Sequence, residues 1–204
     1  MEVVMARPPK FDREKVLWKA TVLFWERGYR SVSINDLVKV TGLLPGSIYA
    51  AFGSKEGLFL ACLDSYSAMA DQLRAGFEKV SSPLFCVRDF FHEMVNQSCN
   101  EEGGRGCFLV NASLECDDSE TAIKAKVRSC MDKGESWLKT QLDEAKNTGE
   151  LRADTDTTQL AACLMGSVFG FRVMSRAQVV PEKIEAVALA MFDSLMSPWQ
   201  QVAA

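Results

Sequence analysis

Residues 34–58 read INDLVKVTGLLPGSIYAAFGSKEGL, and the placing of glycine, proline and apolar residues in this stretch decides the fold. Ile34 to Val40 make about two helical turns with Leu37 and Val38 inward. Gly42 follows where the chain must turn sharply, and a residue with no Cβ takes positive φ there at little cost. Pro45 suits the first turn of a second short helix, because the N–H it lacks would have no intrahelical acceptor. Ile48, Ala51 and Phe52 then recur at core-facing spacing, which leaves Gly46, Ser47, Tyr49 and Ala50 on the outer surface. Two short helices joined by a glycine-containing turn have the layout of a helix-turn-helix. Its second helix can lie against base edges in a major groove, with hydroxyls available for phosphates.

Working outward, Asp12 caps a first helix that runs to about Arg27, with Val16, Leu17, Ala20, Leu23 and Phe24 on its apolar side. Gly28 ends it. Ser33 caps the first helix of the motif, and Ser54 caps a long helix from Lys55 to roughly Phe77, with Glu56 favourably placed near its N-terminus. The spacing therefore predicts a three-helix DNA-binding domain over 10–60. A larger helical domain over 61–204 is coupled to it through the helix that starts at Lys55. After a break at Ser81-Ser82-Pro83, further helices are predicted over about Leu84–Cys99, Cys107–Glu115, Ser119–Asn147, Thr155–Ser175 and Pro181–Met196, giving an all-α chain. Met1 to Phe11 reads as a basic arm, and Glu101 to Gly106 as a polar, glycine-rich loop.

At 204 residues the chain is long enough for a well-buried core. Its net charge of −4 is unusual for a nucleic-acid binder until it is divided: residues 1–60 carry nine Lys or Arg against six Asp or Glu, so the acidic excess lies entirely in the remainder. That asymmetry fits a DNA-facing module on an acidic body. Seven cysteines without a C-x-x-C pair, and a single histidine, His92, argue against structural zinc. The odd cysteine count and the lack of a secretory signal point to a reducing cytoplasm. No apolar run is long enough to span a membrane. Catalysis has no scaffold, since His92 has no nucleophile partner. Glu115, Asp117 and Asp118 read either as a weak cation site or as a solvated helix end, the second being favoured, so no metal and no cofactor are expected.

Ser33-Ile34-Asn35-Asp36-Leu37, Thr41-Gly42-Leu43 and the run Gly46 to Leu58, together with Ala20, Phe24, Gly28 and Tyr29, resemble the tetracycline-repressor (TetR) family over about residues 10–60. The resemblance implies a homodimer of all-helical subunits, most often a repressor that leaves its palindromic operator when a small molecule enters the C-terminal domain. By family position, Ser33, Leu44, Pro45, Gly46, Ser47, Tyr49 and Ala50 approach DNA, and Lys55 holds phosphate. Val38 and Thr41 depart from the family's usual alanines, and their bulk is expected to open the angle between the two helices. Arg105 to Asn111, with Glu115 and Gly149-Glu150-Leu151, is similar to the subgroup containing thiol-reactive sensors of electrophiles and oxidants.

Cys107 has two readings. A helix N-terminus and Arg105 nearby lower a thiol pKa and favour a redox sensor, whereas Phe108, Leu109 and Val110 beside it favour plain packing. Phe91, Met94, Val95, Cys107, Val110, Trp137, Met165 and Phe169 line a candidate effector pocket or simply fill a core. No charged residue stands out as an anchor, which favours an apolar or weakly polar effector. Gly166, Gly170, Val187, Met191 and Leu195 are dimer-interface candidates, the resemblance implying a four-helix contact built from the last two helices of each subunit. The expected function is a ligand- or thiol-responsive DNA-binding repressor. The alternatives are an activator of the same fold and a helical small-molecule binder without a DNA function.

Overall fold

The Asp12 carboxylate accepts from the Lys15 amide at 3.0 Å and opens α1 (Arg13–Arg27), which buries Val16, Ala20, Leu23 and Phe24. The helix stops at Gly28, whose backbone (φ 81°, ψ 157°) lies in a region almost reserved for glycine. A capping box starts α2 (Ile34–Thr41): Ser33 Oγ accepts from the Asp36 amide at 3.2 Å, and the Asp36 carboxylate accepts from the Ser33 amide at 3.0 Å. Gly42 closes α2 in the left-handed conformation, φ 75° and ψ 7°. Thr41 adds two bonds that alanine cannot, because its hydroxyl donates to the Leu37 carbonyl (2.7 Å) and accepts from the Leu43 amide (3.2 Å) across the turn. The second motif helix, α3 (Pro45–Phe52), has proline in its first turn and turns Ile48 into the core. Ser54, accepting from the Gly57 amide at 2.9 Å, caps α4 (Lys55–Glu78), whose 24 residues span ~36 Å.

This computed structural model describes residues 11–79, 82–100, 104–117 and 119–199. The remaining helices are α5 (Pro83–Cys99), α6 (Phe108–Glu115), α7 (Thr121–Asn147), α8 (Thr157–Arg176) and α9 (Pro181–Met196), so the described residues are all-α, with turns, loops and one isolated bridge residue at Leu151 between the helices. Three starts fall one or two residues later than the sequence suggests. Cys107 is the extended residue before α6 (φ −109°, ψ 130°), and Asp156 caps α8, which starts at Thr157, by accepting from the Gln159 amide at 3.0 Å. The start of α7 likewise shifts from Ser119 to Thr121. Residues 1–10 of the expected basic arm, Ser81, positions 101–103 of the glycine-rich loop and Asp118 lie outside the described residues.

Two hydrophobic cores result. One joins α1–α4 to α6 and the first half of α7, around Phe24, Leu37, Ile48, Phe59, Phe108 and Ile123. The other gathers α5, the second half of α7, α8 and α9, around Phe91, Leu138, Leu142, Leu164, Phe171 and Phe192. Thus α6, far along the sequence, packs with the N-terminal helices. Its Phe108 stands edge-on to Phe59 (5.4 Å between centroids) and to Tyr66 (5.7 Å), while Phe59 meets Phe24 edge-on at 4.9 Å. Burying each such ring contributes about 1.5–3 kcal/mol, so α6 is firmly seated against the joint below α1. All seven cysteines are free thiols. Among the described residues no helix is long and apolar enough to cross a membrane.

Candidate nucleic-acid interface and effector cavity

The outer face of α3 is bare. Ile48 is fully buried and anchors the helix, whereas Leu44 is 72% exposed and Tyr49 48% exposed, with Pro45, Gly46, Ser47 and Ala50 beside them on the surface. Ser33 is also exposed, although its hydroxyl is held by the Asp36 carboxylate at 2.5 Å. Lys55 is turned away from this face. Its ammonium sits 4.5 Å above the Tyr29 ring and donates to the Arg30 carbonyl at 3.5 Å, and partial burial lowers its pKa. In this conformation Lys55 ties the start of α4 to the loop after α1. Arg13, which the motif did not single out, stacks its guanidinium 4.7 Å over Phe52 at the end of α3.

Contacts with α1 and with the loop that follows it bracket α6 at both ends. Before α6, the Trp25 indole N–H donates to the Arg105 carbonyl at 3.0 Å, the Asn111 side-chain amide donates to the same oxygen at 2.8 Å, and the Arg105 guanidinium pairs with Glu26 at 3.3 Å. After α6, the Tyr29 amide donates to Glu115 Oε2 at 2.9 Å, and Arg30 pairs with Asp117 and, at 3.2 Å, with Glu120. A Cβ at Gly28 would collide with the Glu115 carboxylate, so the loop passes there only as glycine. The Ser119 hydroxyl and amide, aided by Arg30, hold the Asp117 carboxyl at a pKa of about 2. Glu115 and Asp117, weighed above as cation ligands, are therefore engaged by Tyr29, Ser119 and Arg30.

Of the eight pocket candidates, the structure brings Met94, Cys107, Met165 and Phe169 around one cavity of about 70 Å³ between α4, α5, α7 and α8. The other four face elsewhere. Phe91 is buried in the second core against Phe171 (5.4 Å) and Phe192 (4.9 Å), and Val95 lies in the same core. Val110 belongs to the first core, and Trp137 lies in an outer groove between α4 and α7, donating to Glu78 at 2.6 Å. Helical periodicity identifies an apolar side of a helix but not which of two neighbouring layers that side joins. The expectation that no charged group anchors the cavity is also corrected, because two buried arginines, Arg74 and Arg172, form part of its wall. Next to it opens a vestibule of about 390 Å³ between α1, α4, α5 and α8, which shares Tyr66, Met94 and Arg172 with the cavity and adds Trp18, Trp25 and Met69.

Cys107 is 7% exposed and belongs to the cavity wall. The Tyr66 hydroxyl lies 3.8 Å from its sulfur, and burial together with the neighbouring thiol pushes the Tyr66 pKa up. Of the two features expected to activate Cys107, it has the helix N-terminus, as the residue that opens α6, but not the cation, because the Arg105 guanidinium goes to Glu26. At the far end of the chain, Gly166, Gly170, Val187, Met191 and Leu195 line a single apolar groove of about 680 Å³ along the outer side of α8 and α9. A Cβ at either glycine would meet nothing within 4 Å, so both leave this face flat and open.

Known proteins share this architecture. Residues 16–62 match the family of bacterial regulatory proteins called tetR, and residues 83–191 match the tetracyclin repressor-like C-terminal domain. The chain is 34% identical over 192 residues to the HTH-type transcriptional repressor ComR of Escherichia coli, spanning 89% of this chain and 88% of that one. It is 29% identical over 143 residues to the E. coli repressor NemR, spanning 67% and 68%. Among solved structures, a cysteine mutant of the TetR family regulator CifR in complex with 26-base-pair operator DNA superposes with a TM-score of 0.84 at 30% identity, over 92% of this chain and 99% of that one. The chain belongs to the TetR family of DNA-binding transcriptional regulators.

Proposed function

We propose that this chain is a homodimeric repressor that binds a palindromic operator through α3 and releases it when a small molecule or electrophile reaches the cavity beside Cys107. Family membership brings DNA binding and dimerisation and assigns a regulatory rather than a catalytic role. On this reading residues 10–60 are the DNA-binding unit and 61–204 the effector-binding and dimerisation unit, and the protein works in the cytoplasm, where its thiols stay reduced. The observation that carries the reading is the bare face of α3, where Leu44 and Tyr49 project beside small residues while Ile48 holds the helix from behind. A major groove would cover that face. No Arg or Lys lies on α3, so base choice falls to Tyr49, to apolar contacts with thymine methyls and to DNA shape. The groove along α8 and α9 supplies the dimer face, setting two copies of α3 one turn of DNA apart, roughly 34–36 Å, or a multiple of it.

Release runs through α6. Phe108 follows Cys107 directly and is wedged between Phe59 and Tyr66, so alkylation of Cys107 or occupancy of its cavity presses on the aromatic joint below α1. The contacts of Trp25 and Tyr29 with the two ends of α6 carry that displacement into the helices that hold α3. Genomic DNA selection with purified protein tests the reading: an enriched inverted repeat near its own gene is expected, and the absence of any enriched repeat overturns it. Deleting the gene should raise the output of a reporter at that site, whereas a fall would make the protein an activator.

A further inference from the structure

Arg172 lies in the middle of α8, 6% exposed. Its Nη2 donates to Gln97 Oε1 at 2.7 Å and lies 3.5 Å from Met94 Sδ, both on α5. Among the described residues no carboxylate comes within 4 Å of this guanidinium, and neither Nε nor Nη1 has an acceptor. Arg74, buried to a similar degree across the same cavity, differs in having the Asp71 carboxylate as its partner. An amide oxygen and a thioether satisfy hydrogen bonds but do not neutralise charge, and an unneutralised buried cation is costly.

The surroundings of Arg172 indicate what would neutralise it. It forms part of the wall common to the small cavity and the vestibule, so a ligand that enters the vestibule from solvent meets this residue. The vestibule beside it offers Trp18 (42% exposed), Trp25 and Met69, an aromatic and apolar surface that suits a flat hydrocarbon body. We propose that the effector is an aromatic carboxylate, its carboxylate accepting hydrogen bonds from Arg172 and its ring lying against Trp18 and Trp25. This inference rests on the effector-sensing role proposed above and gives that effector its chemistry. It also places the ligand against the route of release, since the Trp25 indole that flanks the ring is the group that holds the Arg105 carbonyl.

Calorimetric titration of the full chain in the absence of DNA tests this, with 3-phenylpropanoate and its neutral isostere 3-phenylpropanamide as probes. The acid is expected to bind at least tenfold more tightly than the amide. Arg172→Gln should bring the acid down to the level of the amide, Arg172→Lys should keep a preference for the acid, and Trp18→Ala should weaken both probes several-fold. If neither arginine variant folds, the acid-to-amide ratio of the parent protein still decides. Equal binding of acid and amide, or binding of neither, overturns the proposal. DNA takes no part in the titration, so such a failure leaves the operator-binding reading standing, while tight acid binding by a protein that selects no operator would sink that reading instead.

Discussion

The indole N–H of Trp25 donates to the backbone carbonyl of Arg105 at 3.0 Å, joining positions 80 residues apart in the sequence. Cys107 lies two residues beyond that carbonyl, in the cavity wall, and Trp25 lies on the helix against which α2 and α4 pack. This relationship puts the segment that leads into the cavity wall one hydrogen bond from α1 and the helices packed on it. Trp25→Phe keeps most of the ring and removes the donor, while Asn111 still satisfies the Arg105 carbonyl. The expected loss is about 1 kcal/mol of stability by urea denaturation. An unchanged midpoint would mean that the bond contributes nothing.

Gly28→Ala should be costly on two counts. It forces alanine into a glycine-only backbone region and drives its Cβ into the Glu115 carboxylate, which is the acceptor for the Tyr29 amide. Strain of this kind costs about 1–3 kcal/mol. Adding Glu115→Ala to Gly28→Ala should relieve the collision but not the backbone strain, so the double variant should recover part of the loss. Full recovery would show that the φ angle carries no penalty.

Tyr49→Phe should lower operator affinity about fivefold, equivalent to ~1 kcal/mol for one net hydrogen bond, and leave the thermal midpoint unchanged because the side chain is half exposed. Fluorescence anisotropy with labelled operator reads the first effect and a melting curve the second. Unchanged affinity would remove the hydroxyl from the DNA contact.

The link at Asp117 predicts a specific acid response. Its pKa is lowered from 3.8 to about 2, first by the Ser119 hydroxyl and amide and then by Arg30. A carboxyl with a depressed folded-state pKa stabilises the fold fully above its unfolded value and loses that contribution as pH falls through the folded one. The difference in urea midpoint between the parent and Asp117→Asn should therefore be constant at neutral pH and close as the pH drops from 3.8 towards about 2. Because these groups are exposed, it should also shrink in high salt. A difference that is the same at pH 7 and at the acid end would contradict this.

The local signals in the sequence were strong where chemistry is local. Asp12, Ser33 and Ser54 cap the helices they precede, Gly42 takes the left-handed turn, and Ile48 faces inward while Tyr49 faces outward. The region around the cavity was less legible, because its defining contacts run between distant segments. Arg172 reads in the sequence as a polar interruption of an apolar helix, and only the approach of Met94 and Gln97 from α5 makes it a buried wall residue. Phe91 and Val95 share a helix with Met94 but face the layer towards α9 rather than the cavity. Arg105 is two residues from Cys107 in sequence, yet Glu26 on α1 claims its side chain.

Cys107→Ser should leave folding and basal operator affinity unchanged and abolish the response to a small electrophile such as N-ethylmaleimide. Cys62, fully buried and with its thiol pushed up to about 12 by that burial, should stay unmodified under the same treatment. Mass spectrometry of the treated protein checks both. A Cys107→Ser variant that responds like the parent would leave reversible occupancy of the cavity as the sole signal.

If α6 carries the state of the cavity to α1–α3, the Tyr29 amide reports it directly, because its hydrogen bond to Glu115 ties the far end of α6 to the loop after α1. Deuterium exchange over residues 28–33 should be measured before and after N-ethylmaleimide treatment of a chain with Cys99→Ser, Cys116→Ser and Cys163→Ser, in parallel with operator affinity. Faster exchange in this segment together with loss of operator is the predicted result. Operator loss with exchange in the segment unchanged, or alkylated Cys107 with operator binding intact, would contradict the account.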